Sequence, residues 1–351
     1  MDKIIRIGMD TSKQFFQLHG VNQAEQPVLR KKVRRKDVLA FFAKLPPTEV
    51  ALEACGASHY WARELTTLGH TAKLIAPQLS KPYVKRGKND TADADALCEA
   101  MSRPTMRFVP VKTAEQQAAL MLAGERDRLV RQRTQLANTI RGYAAEFGLT
   151  APKGQSHVEA LLEQIRADAT VPTLAGELFT ESADEYRDLQ ARIAKIDARL
   201  LAWHKANEMA RRLTAVPGIG PVIASLLVMK TPDAKAFRSG RDFAAWMGLT
   251  PKDHSTAGKV RTGGITRAGD ETLRSLLVVG ATAVIWQTAR GTTKRPMPWL
   301  VKLMERKPAK LVAVALANKI ARIAWKLMVS GQVYEATLAR PELAVPAPAA
   351  A

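Results

Sequence analysis

Apolar and polar positions alternate from the start of the chain. Ile4-Ile5-Arg6-Ile7-Gly8-Met9-Asp10 and Phe15-Phe16-Gln17-Leu18-His19-Gly20-Val21 are two such runs, separated by a short polar stretch, and together they read as a β-hairpin. Asp10 falls where the first strand runs out into the turn, so a carboxylate is presented at the end of an otherwise apolar strand. Burying it there is costly unless something positive meets it, and Lys13 alone is a partial answer. Pro27 to Val33 reads as a third strand, basic on one side. A helix follows over Lys36 to Leu45, ended by Pro46-Pro47, then a strand over Glu49 to Ala54. A helix from Ser58 to Leu68, closed by Gly69, and a strand over Thr71 to Ile75 complete the region.

Three strands in a meander followed by alternating helix and strand is the order of an RNase H-like α/β fold, in which acidic residues at neighbouring strand ends form a metal site. Further on the period lengthens. Glu115 to about Phe147 reads as one long helix with Arg126, Asp127, Arg128, Arg131 and Arg133 on its polar side. A second is expected from about Ala183 to Ala206, where Leu189, Ile193, Ile196, Leu200 and Trp203 recur at threes and fours. The two would pack as an antiparallel coiled-coil arm, its tip holding a short helix around Val158 to Ile165. Ala215-Val216-Pro217-Gly218-Ile219-Gly220-Pro221 has the turn of a helix-hairpin-helix, where Gly218 and Gly220 let backbone N–H groups approach a phosphate. An ordinary helix turn is the alternative. Ala344 to Ala351, rich in Pro and Ala, is expected to be disordered.

Charge narrows the partners. Lys and Arg number 53 against 33 Asp and Glu, a formal net charge of +20 over 351 residues, and such a surface attracts polyanions, nucleic acid first. The longest apolar stretches, Leu276 to Trp286 and Leu311 to Val329, are too short or are broken by Lys319, Arg322 and Lys326. They read as core helices, with no membrane partner expected. Met1-Asp2-Lys3 leads into a strand without an export signal, and the expected location is the cytoplasm. Cys55 and Cys98 are too few and too far apart for a zinc site or a disulfide framework, and both are expected to be buried as small apolar residues.

Other carboxylates can meet Asp10. Glu53 stands at the end of a strand among small and apolar residues. In Lys88-Asn89-Asp90-Thr91-Ala92-Asp93-Ala94-Asp95, which starts a helix, Asp90 and Asp93 share a face while Asp95 points elsewhere. An acidic first turn complementing the helix dipole is the plainer account. Two strand-end acids nearby favour the other, in which four oxygen donors hold one or two Mg²⁺ ions and a phosphoryl group is stabilised there. Between Gly248 and Gly269 a stretch rich in Gly, Thr, Lys and Arg contains His254-Ser255-Thr256-Ala257-Gly258-Lys259. Its hydroxyls either hydrogen-bond a nucleic-acid backbone or do chemistry.

Gly8-Met9-Asp10, Glu53-Ala54-Cys55-Gly56, Lys88-Asn89-Asp90 with Asp93-Ala94, Pro217-Gly218-Ile219-Gly220 and the Ser255 loop, in this order and at fitting spacing, resemble the transposases of insertion-sequence family one-ten, particularly its eleven-eleven branch. The resemblance implies a RuvC-like domain over residues 1–110 carrying a DEDD metal site. It implies a coiled-coil arm over 111–208 and, over 209–335, a mostly α-helical C-terminal transposase domain with the helix-hairpin-helix and a nucleophilic serine; the middle arm and the tail carry no diagnostic motif, and the tail at 336–351 is expected from its composition to be disordered. Carried over residue by residue, the DEDD set is Asp10, Glu53, Asp90 and Asp93 with Mg²⁺, and the nucleophile is Ser255. Ser239, Thr256 and Thr262 lie near it, and Asp95 is an extra acid beside the quartet. Lys252, Lys259, Arg261 and Arg267 would grip the nucleic-acid backbone, and His254, by adjacency, would take the serine proton. Members of the family are recombinases that use a structured bridge RNA to pair with donor and target DNA, and a homo-oligomer, dimer or tetramer, is expected. Two other classes remain: a metal-dependent junction-resolving nuclease with water as nucleophile, and a non-enzymatic architectural protein that binds DNA or RNA.

Overall fold

The alternating runs form strands in the computed structural model, which describes residues 3–84, 90–293 and 297–335. β1 (Arg6–Thr11) pairs antiparallel with β2 (Phe15–Val21), and β2 with β3 (Pro27–Arg34). A short helix α1 (Val38–Phe42) leads to β4 (Glu49–Glu53), which returns parallel to β1 with Met9 beside Leu52. α2 (Ser58–Thr67) then connects to β5 (Thr71–Ile75), parallel to β4, and the one-turn α3 (Pro77–Ser80) precedes α4 (Asp90–Met101). β6 (Phe108–Val109) closes a sheet of order β3-β2-β1-β4-β5-β6.

Successive residues of a strand face opposite sides, and the two sides of this sheet bury different helices. Ile7, Met9, Phe16, Leu18, Val50, Leu52 and Leu74 pack against Val38 and Phe42 of α1 and Trp61 and Leu65 of α2. On the other side Ala51 and Ile75 meet Leu97, Ala100 and Met101 of α4. Gly8 is what lets α4 come so close. A Cβ there would lie 2.6 Å from the Cys98 nitrogen and closer still to the Ala94 carbonyl oxygen.

The chain divides into two compact units, Met1–Ala118 and Ala119–Ala351. α5 (Ala114–Ala145), all but its first residues in the second unit, and α7 (Thr173–Ala206) are helices of 32 and 34 residues, roughly 50 Å long at 1.5 Å per residue. They run antiparallel: Arg126 Nε donates to Asp197 at 2.6 Å near one end, and the Phe147 and Phe179 rings meet edge-on at 6.1 Å near the other. Between them α6 (Val158–Ala167) buries Val158, Leu161 and Ile165 against Ile140, Ala144 and Tyr186. α8 (Glu208–Leu213), α9 (Pro221–Lys230), α10 (Gly240–Trp246), a two-stranded ribbon of β7 (Pro251–Asp253) and β8 (Thr262–Ile265), α11 (Glu271–Ala289), α12 (Pro298–Arg306) and α13 (Ala309–Ser330) complete the unit. Among the described residues α11 is long and apolar enough to cross a membrane. Its Leu273, Leu277 and Ala281 are fully buried in the core shared with α9 and α13.

Four expectations shift. The helix over Lys36 to Leu45 shrinks to α1, preceded by a 3₁₀ turn at Arg35–Asp37. α7 begins ten residues before Ala183, at Thr173 behind Pro172; its first turns expose Leu174 and Leu178, which blurs the apolar stripe. The serine loop is a β-ribbon whose residues are almost all exposed, so no alternation marks it. Cys98 is buried, and burial pushes its thiol up to about 11, but Cys55 is exposed in the turn after β4, with the Thr11 hydroxyl 3.7 Å from its sulfur. The expected disordered tail, and Lys88-Asn89, lie outside the described residues.

Gly8→Ala is expected to destabilise the N-terminal unit by about 3 kcal/mol, since backbone atoms cannot rotate away as a side chain can. Gly56→Ala, where an added Cβ meets nothing within 4 Å, should be neutral to within about 0.5 kcal/mol. Denaturant unfolding of both variants checks this, and equal midpoints would refute the backbone contact.

Candidate active site

The register of the sheet assembles the acids. β1 and β4 run parallel with Gly8 beside Ala51 and Met9 beside Leu52, so Asp10 and Glu53 are one step further along neighbouring strands. Gly8 and Ala51 face α4, and two residues on Asp10 and Glu53 face the same way. α4 carries Asp90 and Asp93 in its first turn. Burial, then the charges of Asp93 and Asp90, and more weakly that of Glu53, push the Asp10 carboxyl from 3.8 up to about 6 against a hydrogen bond from the Thr11 backbone. Asp95 turns elsewhere, toward the buried His19, with Nε2 to Oδ1 at 3.4 Å.

Four carboxylates on one face are hard oxygen donors of the kind a divalent cation takes, and their mutual repulsion is what such an ion relieves. Asp93, Asp90 and Glu53 each stand within Coulombic range of Asp10. Among the described residues no three His, Cys, Asp or Glu side chains are gathered closely enough to hold a metal ion. The set therefore fits a divalent cation in donor type and in facing, while the side chains are not drawn into a coordination shell.

Ser255 stands near the tip of the β7–β8 ribbon. The tip is a tight turn over Thr256-Ala257-Gly258-Lys259 in which Ala257 and Gly258 have φ of 46° and 78°, the left-handed pair of a type I′ hairpin. Asp253 accepts from the Ser255 backbone N–H at 2.8 Å, and the Ser255 Oγ accepts from the Arg261 N–H at 3.0 Å. The hydroxyl and amide of Ser255 together hold the Asp253 carboxyl below its ordinary value. His254, expected from adjacency to serve Ser255, lies with its imidazole beside Gly263. Asp253 is the partner that sequence adjacency missed, although it stands two residues from the serine, the spacing of an Asx turn. Lys252, Lys259, Arg261 and Arg267 are all exposed around the ribbon, with Arg267 in the left-handed region at φ 57°.

The ribbon is clamped at its base. Cβ atoms on Gly248 and Gly269 would collide with the backbone of Ala268 and Trp246, and Arg274 donates to the Met247 and Ala268 carbonyls at 3.1 and 2.9 Å. Asp270 caps α11 through the Leu273 N–H and pairs with Lys230 of α9. The glycine turn before α9 has two characters. Gly218, at φ 89°, is pressed between Gly280 of α11 and Ile320 of α13, whereas Gly220 is exposed with open space beside it. Gly280, unremarked in the sequence, completes this packing: a Cβ there would collide with the Gly218 carbonyl oxygen.

A family model of transposases of the DEDD type named for IS110 matches residues 7–147, the stretch that carries all four acids. A second, described as the transposase IS116/IS110/IS902 family, matches residues 210–295, which hold the glycine turn and the serine ribbon. A Sinorhizobium fredii protein named as a transposase, y4pF/y4sB, is 65% identical over 95% of this chain and 86% of its own length. The chain belongs to the IS116/IS110/IS902 family of transposases. A Pseudomonas aeruginosa protein named as a family 20 transposase is 52% identical over 92% of this chain and 96% of its own. The transposase for insertion sequence element IS1111A of Coxiella burnetii is 37% identical over 95% and 92%. Membership makes the chain an enzyme, and it fits a mixed α/β N-terminal sheet joined to a helical C-terminal region.

The crowding of this transposase's acids has a pH signature. Between 3.8 and about 6 the folded chain keeps a proton on Asp10 that the unfolded chain releases, so Asp10's contribution to stability falls as pH rises through that window. In EDTA at pH 7.5, Asp10→Asn is expected to be more stable than wild type by about 1 kcal/mol, a figure discounted for solvent at a half-buried carboxylate, and at pH 3.5 the gap should close. Thermal melts at the two pH values read this. A wild type at least as stable as Asp10→Asn at pH 7.5 would show that burial and the neighbouring charges do not disfavour the ionised Asp10.

Proposed function

We propose that the chain is a Mg²⁺-dependent, RNA-guided DNA recombinase that cleaves and rejoins strands of donor and target DNA. Residues 1–110 act as an RNase H-like, RuvC-like domain, 111–208 as a coiled-coil arm and 209–335 as the C-terminal transposase domain. The observation that carries the reading is Asp10, whose carboxyl is raised by burial and by Asp93, Asp90 and Glu53 at the ends of parallel strands and a helix. The strand order, with the antiparallel meander β1-β2-β3 on one side and β4 and β5 parallel to β1 on the other, supports the RNase H-like assignment. The antiparallel α5 and α7 support the arm, and α8, the glycine turn and α9 support the helix-hairpin-helix, with phosphate contact falling to the exposed Gly220.

Asp10, Glu53, Asp90 and Asp93 would hold Mg²⁺, which when bound supplies positive charge against the scissile phosphate. Ser255 Oγ attacks the phosphorus and gives up its proton to solvent, the bond to the leaving sugar oxygen breaks and that oxygen takes up a proton, and a serine–phosphate ester keeps the bond energy for rejoining. A serine hydroxyl is a weak nucleophile at neutral pH, and Asp253, hydrogen-bonded to Ser255, is better placed than His254 to orient it. Lys252, Lys259, Arg261 and Arg267 hold the backbone around it. Such contacts position a duplex without reading bases, which leaves sequence choice to a structured RNA that pairs with both DNAs. The working form is a homo-oligomer in the cytoplasm.

Ser255→Ala should keep its fold and its DNA and RNA binding while recombination falls more than about a thousandfold and no adduct forms. With wild type and a suicide DNA substrate, denaturing gels should show protein linked to DNA, and mass spectrometry should place the link on Ser255. Cleavage by Ser255→Ala at wild-type rate would assign the cut to water and the chain to the junction nucleases. Asp10→Asn, Glu53→Gln and Asp93→Asn should each abolish cleavage with DNA binding intact. RNase treatment should remove site-specific recombination and leave salt-sensitive DNA binding; recombination that persists without RNA would reject the guide.

A further inference from the structure

A groove of about 740 Å³ in the C-terminal unit takes no part in the chemistry above. Lys319, Arg322 and Lys326 of α13 and Arg241 of α10 line it together with Trp299 of α12 and Tyr334, and among the described residues no carboxylate lines it. The groove is held by backbone. The Trp325 Nε1 donates to the Ala234 carbonyl at 2.9 Å, and Gly240 admits α10 so close that a Cβ there would stand 3.2 Å from the Arg322 carbonyl oxygen. The opposite face of α13 is fixed by Val312, Leu316, Ile320 and Leu327 in the core. Lys319 Nζ lies 4.4 Å from the centre of the Trp299 ring, and Trp299 is 38% exposed.

We propose that this groove binds an unpaired nucleic-acid strand, its phosphates between the four cations and its bases against Trp299 and Tyr334. Three cations on one face of α13 with Arg241 of α10 beside them, and among the described residues no acid in the lining, call for an anion with several charges. Indole and phenol surface beside them calls for a flat apolar group on the same ligand, and a polynucleotide joins the two at every residue. A duplex presents the phosphates but hides the base faces in its stack, so the aromatics select a single strand. The inference rests on the reading of the chain as a nucleic-acid enzyme and adds to it a site for strand that is not paired. Asn318 of the same helix donates to the Leu249 carbonyl at 3.1 Å, just before the serine ribbon, so the groove and the base of the ribbon share one support.

The test uses the full chain with labelled RNA and DNA single strands of equal length and sequence, and with the corresponding duplex. Arg322→Glu/Lys326→Glu, both on the exposed face of α13, should weaken single-strand binding more than tenfold and lower the slope of log K against log salt by about 1.4, two phosphate contacts at about 0.7 each. Trp299→Ala should weaken it about tenfold with the slope unchanged. Duplex binding should stay within twofold in both, and melting temperatures verify the fold. Photocrosslinking of a thiouridine- or bromouridine-substituted strand should map to Trp299 or Tyr334. The tighter of the RNA and DNA arms names the source of the strand. Variants that bind single strands as wild type does, crosslinks mapping only elsewhere, or equal losses for duplex overturn the groove alone. A wild-type protein that binds no nucleic acid in any arm overturns the functional reading with it.

Discussion

Helix α4 rests on the sheet backbone to backbone, and everything assigned to the N-terminal unit depends on that approach. It is possible because position 8 has no side chain: a single methyl group would occupy the space of the Ala94 carbonyl and the Cys98 nitrogen. The same parallel pairing that sets Gly8 beside Ala51 also turns Asp10 and Glu53 to the α4 side. A one-residue slip of β4 would send Glu53 into the core of Leu52, Trp61 and Leu65 and bring Leu52 out among the acids. The carboxylates are thus positioned by apolar packing on the far face of the sheet, and the repulsion felt at Asp10 is offset there, by side chains that never touch it.

The C-terminal unit solves a different problem by related means. Its ribbon has no core of its own, since β7 is exposed throughout and β8 nearly so. It is held instead where it leaves the helices, by Gly248 and Gly269 locked against Ala268 and Trp246, by Arg274 across two carbonyls, and by Asp270 tied to Lys230. A rigid base with a solvated tip leaves Ser255 accessible to a large polyanion while fixing the direction in which it is offered. Gly218 and Gly280 show the same device inside the unit, where it serves helix packing.

Much of this was legible in the chain because the strands that position the acids are apolar along their length, with the small Gly8 and Ala51 on the side that α4 covers. The apolar runs of β1, β2 and β4 and the apolar spacing of α2 follow from that burial, and the acids stand out as polar residues at the ends of apolar strands. The ribbon was hidden for the opposite reason: exposed strands of Pro, Lys, Thr and Gly carry no alternation to read. The start of α7 was hidden because its first turns leave Leu174 and Leu178 in solvent. Cys55 misled because a small residue after a buried strand is usually buried too, whereas this one follows the strand into an open turn. Gly218 was marked for its turn, but its partner Gly280 sits inside an unremarkable helix, and only the packing of that helix assigns it a purpose.

A chain with a net charge of +20 attracts nucleic acid with most of its surface, and the acid face is where that attraction is reversed. Carboxylates gathered there repel a phosphate, and burial first and then the charges of Asp93, Asp90 and Glu53 raise the Asp10 carboxyl. Under the proposed function a divalent cation changes the sign of the interaction at this face and nowhere else. Binding and chemistry then respond differently to the same ions. Monovalent salt screens the lysine and arginine contacts over the whole surface, whereas divalent ions act chiefly at the strand ends. Under that reading the protein can hold DNA without cutting it, and the step from holding to cutting would follow the loading of that one cluster with a divalent ion.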